Sequence, residues 1–357
     1  MKVKLAELAP SLKADKTGLV KAACKSFGLK TLDDIEEKEI EWVWYPYFAR
    51  GEITIVEGDP GAKKSFMIQA ATRRLMDGQK LPSPKQFLQA DPGNVVLFDC
   101  ENSGETVLKK RYRNMRLRAT ERLFIKEDPF QMSKEDIDHI IDYLRPIRPI
   151  VVVFDTMNDY FESKANTNTA RDVTQAMQPF RRLARDLNCA VVLVRHLTKD
   201  SNKKLMYRGQ GSIAHTGKAR IVISIGPHPD NPDVTCMVAS KMQFGPKPAV
   251  LTYEVEPNPK PDEHDAFRFI WDDFEEIDEE RIFSGDRGPG RPDEAREAAK
   301  QLLKDVLTVP VEAERIEKMA NARNISMSTL RRAARELGVV KPRGGKSTWS
   351  LPKLDQN

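Results

Sequence analysis

Five short runs rich in valine and isoleucine set the tightest limit on what this chain can fold into: Ile53–Glu57, Val95–Cys100, Ile150–Asp155, Ala190–Arg195 and Ala219–Ile225. Each is dominated by apolar residues rather than strictly alternating, which a strand tolerates when both of its faces are covered. Helical patterns separate the first four runs, notably Ser65–Met76 and Arg171–Leu187. Buried runs alternating with amphipathic helices predict an α/β fold on a mostly parallel sheet. Segments 234–255 and 266–271 read instead as antiparallel strands joined by proline-rich turns. The first forty-one residues are lysine-rich and helix-prone, and no chemical motif stands out in them.

Charge divides the remainder. Between Asp262 and Asp286 eleven acids stand against two arginines, and between Arg323 and Lys353 eight Lys/Arg stand against Glu336 alone. The stretch joining these blocks, Ser284-Gly-Asp-Arg-Gly-Pro-Gly-Arg-Pro292, suits neither helix nor strand and reads as a linker. A chain of 357 residues exceeds one usual core. The expected division is an N-terminal helical segment 1–41, a core 42–283, a linker 284–292 and a small domain 293–357. Cys24, Cys100, Cys189 and Cys236 are too scattered for a disulfide framework or a zinc knuckle, which fits a reducing cytoplasm. No apolar run approaches the ~18 residues of a membrane span. The N-terminus lacks the apolar stretch of a secretory signal. A cytoplasmic protein without a membrane partner is expected.

The most informative segment is Gly58-Asp59-Pro60-Gly61-Ala62-Lys63-Lys64-Ser65-Phe66, placed between a β run and a helix. It is close to the P-loop pattern G-x-x-x-x-G-K-[ST]. In that pattern successive backbone N–H groups and a helix N-terminus wrap phosphates, the lysine reaches the β/γ oxygens and the hydroxyl holds Mg²⁺. Lys64 and Ser65 occupy the last two positions, while Lys63 stands where the second glycine belongs. If that position needs a positive φ, the lysine costs about 1 kcal/mol. The run ending in Asp155 is suited to bring a carboxylate beside the same Mg²⁺. The run that continues into Glu101 ends in acids, and Glu101 is the candidate to polarise an attacking water, with Asp99 as the alternative. His196 ends the fourth run, at the carboxyl edge where open α/β sheets hold ligands, and is a candidate γ-phosphate sensor.

After the linker, helical patterns occupy Ala295–Leu307, Val311–Arg323 and Ser328–Leu337, with Ser328 as N-cap and Gly338 as terminator. Leu330, Ala334 and Leu337 form an apolar stripe, which leaves Arg331, Arg332 and Arg335 as exposed candidates for DNA contact. Lys341, Arg343 and Lys346 follow in a strand–glycine-turn–strand pattern, a basic wing.

The order of motifs resembles the RecA-like ATPases of the RepA type, which include hexameric replicative helicases of plasmids and phages. The likeness begins at Trp42-Val-Trp44-Tyr-Pro46 and runs through the P-loop, Asp99-Cys-Glu101, the Asp155 strand, Arg195-His196, Tyr207-Arg208-Gly-Gln-Gly211-Ser212 and Lys218-Ala-Arg220 to Lys241-Met-Gln243. It implies a RecA-type core that binds ATP and Mg²⁺ between neighbouring subunits of a homo-oligomer, usually a hexamer. On this likeness Lys64, Ser65 and Asp155 match the phosphate and magnesium residues, Glu101 the catalytic carboxylate and His196 the sensor. Arg208 or Arg220 would be the arginine given across the interface. Related DnaB-like helicases carry Lys-x-Arg where this chain has Lys241 and Gln243, which shifts the expected finger to Arg220. The C-terminal piece is similar to winged-helix domains attached to replication ATPases. The expected function is an ATP-driven motor on DNA, a helicase or translocase. The alternatives are a DNA-binding regulator or loader, or a defence or signalling ATPase, in which nucleotide controls assembly without unwinding.

Overall fold

In the computed structural model, residues 27–85, 91–161, 170–197, 214–231, 233–257, 267–283, 292–323, 325, 327–340 and 348–352 are described. The chain forms two compact units, Met1–Glu41 and Trp42–Asn357. Among the described residues of the first unit, one 3-10 turn, Leu32–Asp34, is capped by Thr31, whose Oγ1 donates to Asp34 Oδ2 at 2.6 Å. The helical expectation for 1–26 lies outside the described residues. Residues 29–41 do not continue it as an α-helix.

The second unit opens with a hairpin of β1 (Trp42–Trp44) and β2 (Phe48–Ala49). Then follow β3 (Ile53–Gly58), α1 (Lys64–Met76), β4 (Asn94–Asp99), α2 (Lys109–Asn114), β5 (Leu123–Lys126), α3 (Ile137–Leu144) and β6 (Pro149–Asp155). Next come α4 (Ala170–Ala176), α5 (Gln178–Asp186), β7 (Ala190–His196), α6 (Ala214–Lys218) and β8 (Ile221–Pro227). Strands β9 (Val234–Met242), β10 (Val250–Pro257) and β11 (Phe267–Glu275) and helix α7 (Glu279–Phe283) complete this part.

Nine strands make one sheet in the order β11-β10-β9-β8-β3-β7-β6-β4-β5. The six from β8 to β5 are parallel, and β9, β10 and β11 extend the sheet antiparallel. This is the strand order of a RecA-like P-loop core. All five apolar runs of the sequence fall on these parallel strands. Their continuity has a physical cause, because neighbouring residues serve different cores. Ile53 and Ile55 pack with α3 and α5 on one face, while Val56 packs with α1 and the β1–β2 hairpin on the other. The single helix expected over Arg171–Leu187 is divided into α4 and α5 at Met177, next to Pro179, which has no N–H to continue the ladder.

Within the same unit, α8 (Pro292–Val306), β12 (Val311–Glu312), α9 (Ala313–Ala322), α10 (Met327–Glu336) and β13 (Thr348–Trp349) surround their own core. Leu302, Leu303, Ile316, Leu330, Ala334 and Trp349 are buried there. β12 pairs antiparallel with β13. Ser328 is not an N-cap, because the helix already begins at Met327 and places Ser328 in its first turn. Gly338 follows the helix with φ +66°, as a terminating glycine does. Lys341, Arg343 and Lys346 lie outside the described residues, as does the side chain of Arg335.

Arg331 and Arg332 are not exposed as the helical pattern predicts. Arg331 Nη1 donates to Asp272 Oδ1 of β11. Arg332 reaches Asn231 Oδ1 at 2.7 Å and Asp233 Oδ2 at 2.8 Å. A bulge in β11 accounts for this contact. The β10–β11 register slips between Leu251 and Tyr253, so Asp272 and Asp273 together oppose Thr252 and β11 carries one extra residue. Asp272 thereby meets α10.

Candidate functional site

Sheet register brings the chemical residues to one edge. Gly58 of β3 lies beside His196 of β7, and Asp99 of β4 beside Asp155 of β6, all at carboxyl ends of parallel strands. Gly58 must be glycine, since a Cβ there would stand 2.7 Å from the carbonyl oxygen of Ile225 on β8. The loop then turns into α1 through Lys63, at φ 65° and ψ 24°. The second-glycine position therefore does need the left-handed conformation, and Lys63 carries the cost of about 1 kcal/mol. Its carbonyl accepts from Tyr253 Oη at 3.3 Å, and its ammonium approaches the Asp233 carbonyl at 3.4 Å.

Lys64 is buried. Its ammonium donates to the carbonyls of Gly58 (2.9 Å) and Asp59 (3.0 Å) and to His196 Nδ1 (3.1 Å). Burial lowers its pKa, against the charges of Asp155, Glu101 and Asp59. An ammonium only donates, so His196 Nδ1 accepts, and the proton of the neutral ring sits on Nε2. That N–H donates to Glu101 Oε1 at 3.1 Å. A line Lys64–His196–Glu101 results, with its hydrogen-bond direction fixed by the lysine. Asp99, the alternative base, is buried, and its Oδ1 accepts the N–H groups of Glu101 (3.0 Å) and Asn102 (2.8 Å). Its carboxylate shapes the turn that presents Glu101.

Beside this line Ser65 Oγ donates to Asp155 Oδ2 at 2.7 Å. Burial above all, then the charges of Asp99 and Glu101, pushes Asp155 up to about 7, against the Ser65 hydroxyl and Lys64. One hydroxyl and one buried carboxylate, both oxygen donors, fit Mg²⁺, which takes few protein ligands and completes its shell with phosphate and water. Among the described residues no group of three or more His, Cys, Asp and Glu forms a separate metal site.

Two features escaped the sequence reading. Glu57 and Arg195 form a fully buried ion pair across β3 and β7, with Arg195 Nε donating to Glu57 Oε2 at 2.8 Å and Ser224 Oγ to Glu57 Oε1 at 2.9 Å. Their register makes them the residues just before Gly58 and His196. The pair therefore holds the root of the phosphate loop level with the histidine. A charge closing each of two adjacent apolar runs was the available signal. Arg111 lies over the Phe66 ring, 4.3 Å from its centroid, where it feels the charges of Asp99 and Asp155. No sequence signal separates it from the other bases of Lys109–Arg113.

Arg220 Nη1 donates to Gln243 Oε1 at 2.8 Å. Lys241 donates to the carbonyls of Thr216 (2.7 Å) and Ala219 (2.8 Å) at the end of α6. Arg208 lies outside the described residues.

Residues 27–202 match the AAA domain family, a segment that contains the phosphate loop, Glu101, Asp155 and His196. With the strand order above, this part of the chain has a RecA-like P-loop fold. The solved structures similar to the chain include the RadB recombinase, at 15% identity and TM-score 0.42, covering 62% of this chain and 91% of that one. They also include a DnaB-like replicative helicase solved for its interactions with primase, at 11% identity and TM-score 0.46, covering 70% and 72% respectively. No curated protein matches the sequence.

Proposed function

We propose that the chain is an ATP-hydrolysing motor acting on DNA, a helicase or translocase of the RepA type found in plasmids and phages. The observation that carries this reading is the Lys64–His196–Glu101 line standing beside the Ser65–Asp155 pair. In the proposed reaction Lys64 exchanges its loop carbonyls for β/γ phosphate oxygens, and Glu101 accepts a proton from the water that attacks the γ-phosphorus. His196 ties the two events together. When the ammonium turns to phosphate, Nδ1 loses its donor and the ring is released to follow. Magnesium, when bound, supplies positive charge to the phosphate oxygens, and Ser65 and Asp155 would hold it. The backbone N–H groups of 58–66, except at Pro60, which has none, would cradle the phosphates. Arg220 or Arg208 would complete a neighbour's site in a homo-oligomer, a hexamer on the RepA likeness. The C-terminal helices, with Arg335, Lys341, Arg343 and Lys346, would form a winged-helix-like DNA contact.

ATP hydrolysis measured with and without single-stranded DNA, together with separation of a forked duplex, tests the proposal. Stimulated hydrolysis with strand separation is expected, and hydrolysis indifferent to DNA would remove the motor. A second reading, a nucleotide-controlled regulator or loader, draws support from the engagement of Arg331 and Arg332 by core residues. Its signature would be nucleotide-dependent DNA binding with hydrolysis that DNA does not stimulate and no strand separation.

A further inference from the structure

Helix α1 and the last strand of the sheet enclose a cavity of about 360 Å³. Arg73 and Arg74 of α1 line one side, and Asn114 and Arg116 at the end of α2 line another. The third wall is aromatic. Phe267, Phe269 and Trp271 alternate along β11 ahead of its bulge and so share one face of the sheet.

Three observations mark this cavity as built for a ligand. First, the Trp271 indole N–H and the Asn114 Oδ1 are buried and have no hydrogen-bond partner. Leaving such groups unpaired costs about 1–3 kcal/mol each, and one is a donor and the other an acceptor. Second, positive charge exceeds negative. Asp77 stands 3.4 Å from Arg73 and Glu256 stands 4.0 Å from Arg268, but among the described residues Arg74 and Arg116 have no carboxylate partner. Arg74 donates to the Lys80 carbonyl at 2.8 Å, and its pKa is lowered by burial and by the neighbouring Arg73 charge. Third, planar rings and guanidinium groups meet at one place. Aromatic faces stack on bases of any sequence, and arginines take phosphates.

We propose that this cavity binds a nucleoside phosphate unit, with its base against the β11 aromatics and its phosphate on Arg74 and Arg116. The unit is either a free nucleotide or one residue of a single strand. The site is distinct from the phosphate loop and adjoins it, since the Phe66 ring meets Phe267 edge-on at 4.6 Å between centroids. It does not depend on hydrolysis at Lys64.

The test uses the full chain carrying Lys64→Ala, which disables the phosphate loop, with fluorescein-labelled oligo-dT followed by anisotropy and AMP followed by calorimetry. Adding Arg74→Ala and Arg116→Ala should weaken at least one probe tenfold or more. For the strand it should also flatten the log–log salt dependence by about 1.4, at ~0.7 per single-strand phosphate contact. Trp271→Phe keeps an aromatic face, though a smaller one, but removes the orphan N–H, and should weaken the same probe several-fold while leaving the thermal transition in place. Displacement of the strand by AMP identifies a site open to free nucleotide, and strand binding that AMP does not displace identifies a strand site. If neither probe binds, or if both bind all variants equally, the proposal is overturned.

Discussion

At the scale of single residues, the ammonium of Lys64 directs the site. All three of its protons are donated within the chain, so phosphate binding has to be an exchange of partners. Lys64→Ala should abolish ATP hydrolysis while circular dichroism reports an unchanged fold, because α1 does not need the side chain. Glu101→Gln should keep nucleotide affinity and lower turnover by about 10²–10⁴-fold, the usual worth of a positioned base. If affinity falls together with turnover, Glu101 is structural. The convergence of Lys64, Ser65 and Asp155 was legible in the sequence because each closes a strand or opens a helix in a fixed order. The tautomer of His196 was not legible. It follows from which nitrogen meets a group that can only donate, and that is a matter of three-dimensional placement.

At the scale of secondary-structure elements, β3, β4, β6, β7 and β8 were readable because strands covered on both faces are dominated by apolar residues, and the few polar ones, such as Thr54 and Ser224, are buried and hydrogen-bonded. β5 was not. Its four residues, Leu-Phe-Ile-Lys, lie at the sheet edge with Phe124 and Ile125 exposed, and so short an edge strand carries no periodic signal. Glu57 and Arg195 break the apolar rule, and their pairing implies a measurable debt. Glu57→Gln leaves a buried guanidinium without its carboxylate and should destabilise the protein by about 3–5 kcal/mol in urea unfolding. Glu57→Gln with Arg195→Met should recover much of that loss.

The β11 bulge leads to a pH prediction. Burial pushes Asp272 up to about 6, with Glu254 and Glu275 adding to the effect and Arg331 opposing it. An acid whose pKa is raised on folding contributes stability that is present below its unfolded value, near 3.9, and lost as pH rises through about 6. Asp272→Asn does not titrate, so its stability relative to the parent should rise between about pH 4 and pH 6 and then level off. Paired urea midpoints across that window check this, and a constant offset would mean that Asp272 is not the titrating group.

At the scale of the whole molecule, Lys64 opens α1 at the carboxyl edge of the sheet while Arg220 immediately precedes β8 at its amino edge, and a role for Arg220 in a neighbour's site predicts complementation. Arg220→Ala alone should lower hydrolysis without much loss of assembly. Mixed with Lys64→Ala subunits, it should regain activity at intermediate ratios, where some interfaces carry both intact side chains. No recovery at any ratio would argue against a trans-acting arginine. The C-terminal helices were legible as a separate apolar core, but their docking was not, because it depends on a bulge that delivers Asp272 and on two acceptors far away in the chain.

One of those acceptors, Asp233, has two attachments. Its carboxylate holds Arg332 of α10 and its carbonyl faces the ammonium of Lys63 in the phosphate loop. A load placed on the C-terminal helices, such as drag from a bound strand, would reach the loop by two routes. Along the sheet it would be shared among nine hydrogen-bonded strands and dissipated. Through Asp233 it would arrive across a single residue, over contacts that are solvent-accessible and weak enough to break and re-form with each loading. If the C-terminal helices do carry such a pull, Asp233 would act as a fuse in the linkage, giving way before the sheet is deformed and resetting when the pull is released.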